Sequence, residues 1–259
     1  MTRNPKVSVL MPIYRTNKEH LQEAIESILS QTFKDFEFLI LDDCPDDDRQ
    51  DIIKLYKDER IKYFKNEKNL GITPSRNKLI DMAKGEYLAV MDHDDISLPT
   101  RFEKQVAYLD EHQDVGVVGC WYTTILSHKT MVYPIEHSEI IYGIINGSCY
   151  ILHPASMIRK SVLIKNNIQY EEEFSPAEDF MLWGKLIEFT KFYNIPDFLF
   201  QYRDHIDNTS HLQSDKMNIA SKHIVKFLRN KYPQITKEYA YYIPCKYMPL
   251  IKIKKKMLV

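Results

Sequence analysis

With 259 residues, 44% of them apolar and 12% aromatic, the chain can close a large core in one or two domains. A net charge of −1 withholds the basic excess that phosphate neutralisation needs, which argues against nucleic acid as a partner. The seven glycines form neither G-x-G-x-x-G nor G-x-x-x-x-G-K-[ST], so a dinucleotide fingerprint and a P-loop are both excluded.

Lys6–Met11 (KVSVLM) is a short β-branched run stopped by Pro12 and reads as a buried strand. Asn17 is placed to cap a helix whose apolar residues Leu21, Ala24, Ile25, Ile28 and Leu29 follow the 3.6-residue period. A second strand is expected at Glu37–Leu41, ending in Asp42-Asp43. A second helix through Ile52, Ile53, Leu55 and Tyr56 and a short strand at Ile61–Phe64 follow. Thr73-Pro74 looks like a capping residue with proline at the first helical position, and Gly85 like the stop after Met82-Ala83-Lys84. Glu86–Met91 is a strand that runs into Asp92-His93-Asp94-Asp95.

Strand and helix alternate through these first hundred residues, the pattern of a mostly parallel sheet covered by helices, an α/β fold. Ligands bind at the carboxyl ends of such strands. Pro12-Ile13-Tyr14, Asp42-Asp43 and the Asp92–Asp95 acids should all reach that edge. Beyond Pro99 a helix carries Phe102, Val106 and Leu109 inward, and Val115–Cys120 is another strand. Residues 121–175 read as mixed strands and loops. Glu178–Phe189 reads as a helix, Ile195–Tyr202 as a strand and Ser214–Lys231 as an amphipathic helix. Expected units are 1–98, 99–213 and a C-terminal helix with basic tail at 214–259.

Four cysteines, Cys44, Cys120, Cys149 and Cys245, form no C-x-x-C pair, which points to free thiols in a reducing cytosol and away from a zinc site. Met1 to Lys6 has no apolar h-region, so no signal peptide is expected, and no run of 18 apolar residues spans a membrane. From Tyr239 to Val259 there are five Lys and no acid. Such a stretch can lie on an anionic membrane surface, or simply solubilise the tail.

Candidate chemistry concentrates in five places. Asp92 and Asp94, two apart at a strand end, can reach a hard cation such as Mg²⁺ or Mn²⁺ shared with substrate phosphates; the alternative is an N-cap for the Pro99 helix. Asp42-Asp43 can accept the N3–H of a uracil while Tyr14 offers a ring face, or the acids can build an Asx turn. Arg76 sits in the first turn of a helix, where its charge opposes the helix dipole. It is available to a base edge or diphosphate oxygen, or to a salt bridge with the acids. Glu178-Asp179 opens a helix, where acids are stabilising in any case, yet one of them can serve as general base on a hydroxyl. His205, after Tyr202-Arg203 and before Asn208 and Ser210, can ligate a metal as neutral imidazole or play a structural part.

Taken together, V-S-V-L-M-P-I-Y at 7–14, S-I-L-S-Q-T-F at 27–33, D-D at 42–43, N-L-G-I-T-P-S-R-N at 69–77, D-H-D-D at 92–95 and E-D at 178–179 resemble the family 2 glycosyltransferases, in order and spacing, from residue 6 to about 210. The resemblance implies a GT-A fold with a mixed acceptor-binding lobe, a UDP-sugar donor, Mn²⁺ or Mg²⁺, and inversion at the anomeric carbon. Carried over, Pro12, Tyr14, Asp42, Asp43 and Arg76 would face the nucleotide. Asp92 would lie near the ribose, with His93 also among the donor-binding residues, Asp94 on the metal, with Asp92 and His205 beside it, and Asp179 would be the base next to Glu178. Arg15 and Cys44 depart from the usual Asn and the usual Gly or Asn. The Q-x-x-R-W signature of processive members is absent, which favours single additions to a saccharide or lipid-linked saccharide acceptor, as in bacterial lipopolysaccharide or capsule synthesis, in the cytoplasm or at the inner membrane face. A UDP-sugar-binding protein without turnover and a sugar-nucleotide nucleotidyltransferase are the rival readings. The latter needs a glycine-rich basic loop where Pro12-Ile13-Tyr14-Arg15 stands.

Overall fold

A computed structural model describes residues 3–47, 49–205 and 212–239. Asn208, Ser210, Cys245 and the basic stretch 243–259 lie outside them. Strands β1 (Val7–Ile13), β2 (Phe36–Asp42), β3 (Ile61–Lys65) and β4 (Tyr87–Val90) alternate with helices α1 (Lys18–Leu29), α2 (Gln50–Ile53) and α3 (Ile72–Met82). There follow β5 (Ile96–Ser97), α4 (Arg101–Glu111), β6 (Val115–Thr124), β7 (Thr130–Met131), α5 (His137–Asn146), β8 (Met157–Arg159), α6 (Lys160–Lys165), α7 (Glu178–Leu186), β9 (Lys191–Tyr202), α8 (Ser214–Lys231) and α9 (Pro233–Tyr239).

Among the described residues the sheet runs β3-β2-β1-β4-β8-β6-β9-β5, with β7 on the side of β6. The first four strands are parallel, as the alternation implied; beyond β4 the sheet is mixed, with β8 antiparallel to both β4 and β6 and β9 parallel to β6. One sheet therefore continues across the expected division at residue 98. The period of two along each strand feeds two cores. Val7, Val9, Met11, Phe38 and Ile40 face α1 and α4, packing on Leu21, Ile25, Ile28 and Phe102. Leu10, Leu39, Leu41 and Leu88 face the other side with Leu79, Ile140, Ile144 and Trp183.

Several local expectations shift. The cap of α3 is Gly71, at φ 88°, so Thr73 and Pro74 lie inside the first turn. Gly85 does not cap α3, which ends at Ala83. It lets two backbones meet, since a Cβ there would stand 2.5 Å from the Ser8 amide nitrogen. β6 runs four residues past Cys120 because β9 pairs with it all the way to Tyr202. Pro196 is tolerated inside β9 because the register breaks between Ile195 and Phe198, a bulge that demands no ladder donor. α8 turns Ile224 and Leu228 inward and leaves Ile219 and Phe227 exposed. No helix among the described residues is long and apolar enough to cross a membrane.

Candidate functional site

Because β1, β2 and β4 are parallel, their carboxyl ends share one edge, with Ile13 in register with Asp42 and the Met91 amide donating to the Leu10 carbonyl. A cleft of about 240 Å³ opens there, lined by Pro12, Tyr14, Asp43, Asn69, Gly71 and His93, among others. Tyr14 is 42% exposed, a planar face at the mouth. The Arg15 guanidinium lies 5.3 Å from the ring centroid, and Arg15 itself takes a left-handed φ of 47°.

The two acids of β2 part company. Asp42 is fully buried and does not line the cleft: its carboxylate accepts from the Cys44 and Arg49 amides at 2.9 and 3.0 Å and from the Tyr63 hydroxyl at 2.9 Å. That is the turn-building role. Asp43 lines the cleft and also organises its far wall, accepting from Asn66 Nδ2 and the Leu70 amide on Oδ1 and from the Gly71 amide on Oδ2, at 2.8, 2.9 and 2.8 Å. Gly71 can turn there because only glycine adopts its φ without strain.

Arg76 stands over the second part of the site. Its Nη1 donates to Glu178 Oε1 at 2.6 Å, and Nη2 lies 3.5 Å from Asp92 Oδ1. Of the alternatives for this arginine, the structure places it in the ion pair, joining the end of β4 to the start of α7. The guanidinium also lies 5.6 Å over the ring of Tyr170, whose backbone is clasped reciprocally by the Asn77 side chain. The Tyr170 hydroxyl meets His153 Nε2 at 2.7 Å, and burial holds that histidine neutral, its pKa well below the usual value.

One arginine faces several carboxylates here. Burial and Glu178 push the pKa of Asp179 up to about 6, against the opposing pull of Arg76. Glu178 Oε2 and Arg76 Nε, both buried, have no protein partner among the described residues. Among the described residues Asp179 Oδ1 accepts only from its neighbour's amide, Phe180 N, at 2.7 Å. A half-buried carboxylate with this proton affinity can accept a proton from a hydroxyl near neutral pH.

Asp92, Asp94 and Asp95 crowd the loop after β4. Burial pushes Asp92 and Asp95 upward, and Asp94 adds to both. These acids do not cap α4, whose N-cap is Thr100. Asp95 Oδ1 accepts from the Arg203 amide at 2.8 Å, while its Oδ2 has no protein partner among the described residues. Arg203 Nε donates to the Asp94 carbonyl at 2.6 Å and Nη2 pairs with Glu23, tying the end of β9 to α1. His205 Nε2 lies 3.0 Å from Asp94 Oδ2. Oxygen donors crowded until they resist ionisation, one of them a buried oxygen with no protein partner among the described residues, fit a hard divalent cation. Among the described residues no three His, Cys, Asp or Glu side chains form a ready cage, so such an ion would complete its shell from substrate oxygens.

Of the residues expected from sequence, the fold brings Pro12, Tyr14, Asp43 and His93 to one cleft, and Arg76, Asp92, Glu178 and Asp179 to one charge cluster, with Asp94 and His205 paired beside it. Asn66, Tyr170, His153 and Arg203 went unnoticed as supports. Their positions 66, 153 and 170 carry no spacing signal, and Arg203 stood in a noticed cluster without an assigned partner.

A model of the family described as "Glycosyl transferase family 2" matches residues 8–198. An uncharacterized glycosyltransferase of Methanocaldococcus jannaschii is 36% identical over 207 residues, covering 77% of this chain and 71% of its own. The provisionally named glycosyltransferase EpsE of Bacillus subtilis is 34% identical over 212 residues, covering 80% and 76%. Among solved structures, S. aureus TarS 1-349 in complex with UDP-GlcNAc superposes with a TM-score of 0.68 at 20% identity, covering 94% of this chain and 78% of that one. The mannosyltransferase PcManGT of Pyrobaculum calidifontis, in complex with GDP-Man and Mn²⁺, has a TM-score of 0.63 at 13% identity, covering 99% and 81%. At these identities the likeness is one of fold.

Proposed function

The chain belongs to glycosyl transferase family 2, and from that premise we propose that it moves a hexose or N-acetylhexosamine from a UDP-sugar to a hydroxyl of a saccharide acceptor, with inversion at the anomeric carbon. The observation that carries this reading is the joining, by Arg76, of the acids after β4 to Glu178 at the start of α7, with the cleft of Tyr14 and Asp43 beside them. A structural neighbour of the same fold was solved with UDP-GlcNAc, which supports the donor class.

In this mechanism Tyr14 stacks on the base and Asp43 accepts its ring N–H. Asp94 and Asp92, with His205 beside Asp94, would hold Mn²⁺ or Mg²⁺, which supplies a Lewis-acid clamp on the diphosphate oxygens when bound. Asp179 takes the proton of the acceptor hydroxyl as that oxygen bonds to the anomeric carbon, and the bond from that carbon to the diphosphate breaks on the opposite face. Its pKa of about 6 keeps it ionised at neutral pH yet basic enough to assist. Arg76 holds Glu178 in place and keeps a positive charge beside the acids while negative charge grows on the leaving group.

Calorimetric titration of UDP, CDP and GDP with and without Mn²⁺, followed by a donor panel scored as free UDP, tests the reading. Uptake of UDP strengthened by the metal, with hydrolysis of at least one UDP-sugar, is expected. Absence of UDP uptake under both conditions overturns it. The same panel identifies the sugar. Flotation on anionic vesicles with and without residues 244–259 tests the proposed peripheral membrane contact, and equal flotation sinks it.

A further inference from the structure

Asn66 belongs to no expected motif and does not line the cleft, yet it sits directly behind Asp43, 3% exposed. Its amide nitrogen donates to the Asp42 carbonyl at 2.8 Å, extending the pairing of β3 with β2. The side chain is held at both ends. Nδ2 donates to Asp43 Oδ1 at 2.8 Å, and Oδ1 accepts from Lys78 Nζ at 2.6 Å. A lysine ammonium only donates, so the oxygen end of the amide must face α3 and the nitrogen end must face Asp43. Lys78 and Asp43 thereby hold the amide in one orientation, its nitrogen toward the carboxylate.

The consequence is read from the acceptor positions of Asp43. An ionised carboxylate offers about four. Asn66 Nδ2 and the Leu70 amide take two on Oδ1, and the Gly71 amide takes one on Oδ2. One position is left on Oδ2, on a side chain that lines the cleft.

We propose that Asn66, oriented by Lys78, is a positioning residue for base selection: it saturates the inner oxygen of Asp43 and leaves the carboxylate a single acceptor position, which selects a nucleobase presenting a ring N–H. This rests on the reading that the cleft takes the base of a UDP-sugar. Uracil presents N3–H to that oxygen. Cytosine presents a bare N3, whose lone pair would face the carboxylate, so the same device rejects it. A buried charged acceptor left facing a lone pair is among the costlier mismatches in recognition.

Two variants and two nucleotides test this. Asn66→Asp has nearly the same shape and still accepts from Lys78, but when ionised it cannot donate to Asp43. Lys78→Met removes the orienting charge at an exposed position. The readout is the ratio of UDP to CDP affinity by calorimetry in the presence of Mg²⁺, together with KM and kcat for donor hydrolysis. Asn66→Asp is expected to weaken UDP about tenfold or more, as loss of a charge-assisted hydrogen bond does. CDP should change far less, so the ratio collapses, and the donor KM should rise while kcat stays within about twofold. Lys78→Met should move the ratio in the same direction by a smaller factor. Equal weakening of UDP and CDP in Asn66→Asp would make Asn66 a structural stitch and overturn the proposal, as would a wild-type ratio in both variants. A wild type that takes up no UDP would instead remove the underlying reading, a distinguishable result.

Discussion

The acids at the end of β2 and those gathered between β4 and α7 share one sheet edge but have opposite surroundings. Asp42 and Asp43 each accept three hydrogen bonds, from amides, a hydroxyl and an asparagine. Asp92, Asp95 and Asp179 are instead pushed toward the protonated form by burial and by neighbouring carboxylates, and Glu178 and Asp95 each keep a buried oxygen without a protein partner among the described residues. Carboxylates held by several donors keep a loop in one shape and present a fixed face to a ligand. Crowded, under-bonded ones keep a proton affinity that chemistry can use. On the proposed function, recognition and reaction are separated along the same edge by how fully each acid is satisfied.

The largest effect should come from the reactive side. Asp179→Asn removes the proton acceptor and is expected to lower transfer by roughly 10²–10⁴-fold, with UDP affinity within a few-fold of wild type. Transfer retained within a few-fold would dissolve the distinction between the two regions. The same substitution should stabilise the fold near neutral pH. The folded Asp179 binds its proton up to about 6, above the ordinary carboxyl value of 3.8, so the native state holds the extra proton between those values. Wild-type stability therefore falls as pH rises through that window, and the neutral Asn does not follow it. By thermal unfolding, the variant's advantage should be small at pH 4 and grow to on the order of 2–3 kcal/mol by pH 7.

Arg76→Gln comes next. It leaves Glu178 buried without its cation and should cost on the order of 3–5 kcal/mol in denaturant unfolding. Because Arg76 lowers the pKa of Asp179, its loss should also move the acid limb of the kcat/KM profile to higher pH. A stable variant with an unmoved limb would show that the charge cluster is less coupled than its geometry indicates. On the recognition side, Asp43→Asn replaces an acceptor of three donors by an amide and should weaken UDP binding by about tenfold or more while kcat changes little. A loss in kcat rather than in affinity would blur the division.

The smallest effect tests a departure noted in the sequence. Arg15 adopts φ 47°, a conformation that Asn tolerates better. Arg15→Asn should raise stability by up to about 1 kcal/mol, read as a small increase in Tm. A decrease would mean that the guanidinium's place over Tyr14 outweighs the backbone strain.

Much of this was legible in the chain. Apolar periodicity locates α1, α4 and the whole of α8, and the alternation up to Asp92 implies parallel strands with their ends on one rim, because neighbours along the chain decide those patterns. The mixed half was not legible. β6 and β9 extend and bulge to suit each other across more than seventy residues, and α5 lay in a stretch read only as short strands and loops. The acids themselves were visible, but not which of them would be spent on structure: Asp42 and Asp43 are adjacent and identical in type, and only one lines the cleft.

What the sequence determined by itself is the inventory and its order: which strand ends carry acids, where Tyr14 and Arg76 fall, and the family those segments resemble. The tertiary structure alone decided the partners. Arg76 meets Glu178 across 102 positions of chain, and Lys78 orients Asn66 behind Asp43. Hydrogen bonding and proton affinity depend on distance and burial in space, and a linear pattern carries neither until the sheet has closed.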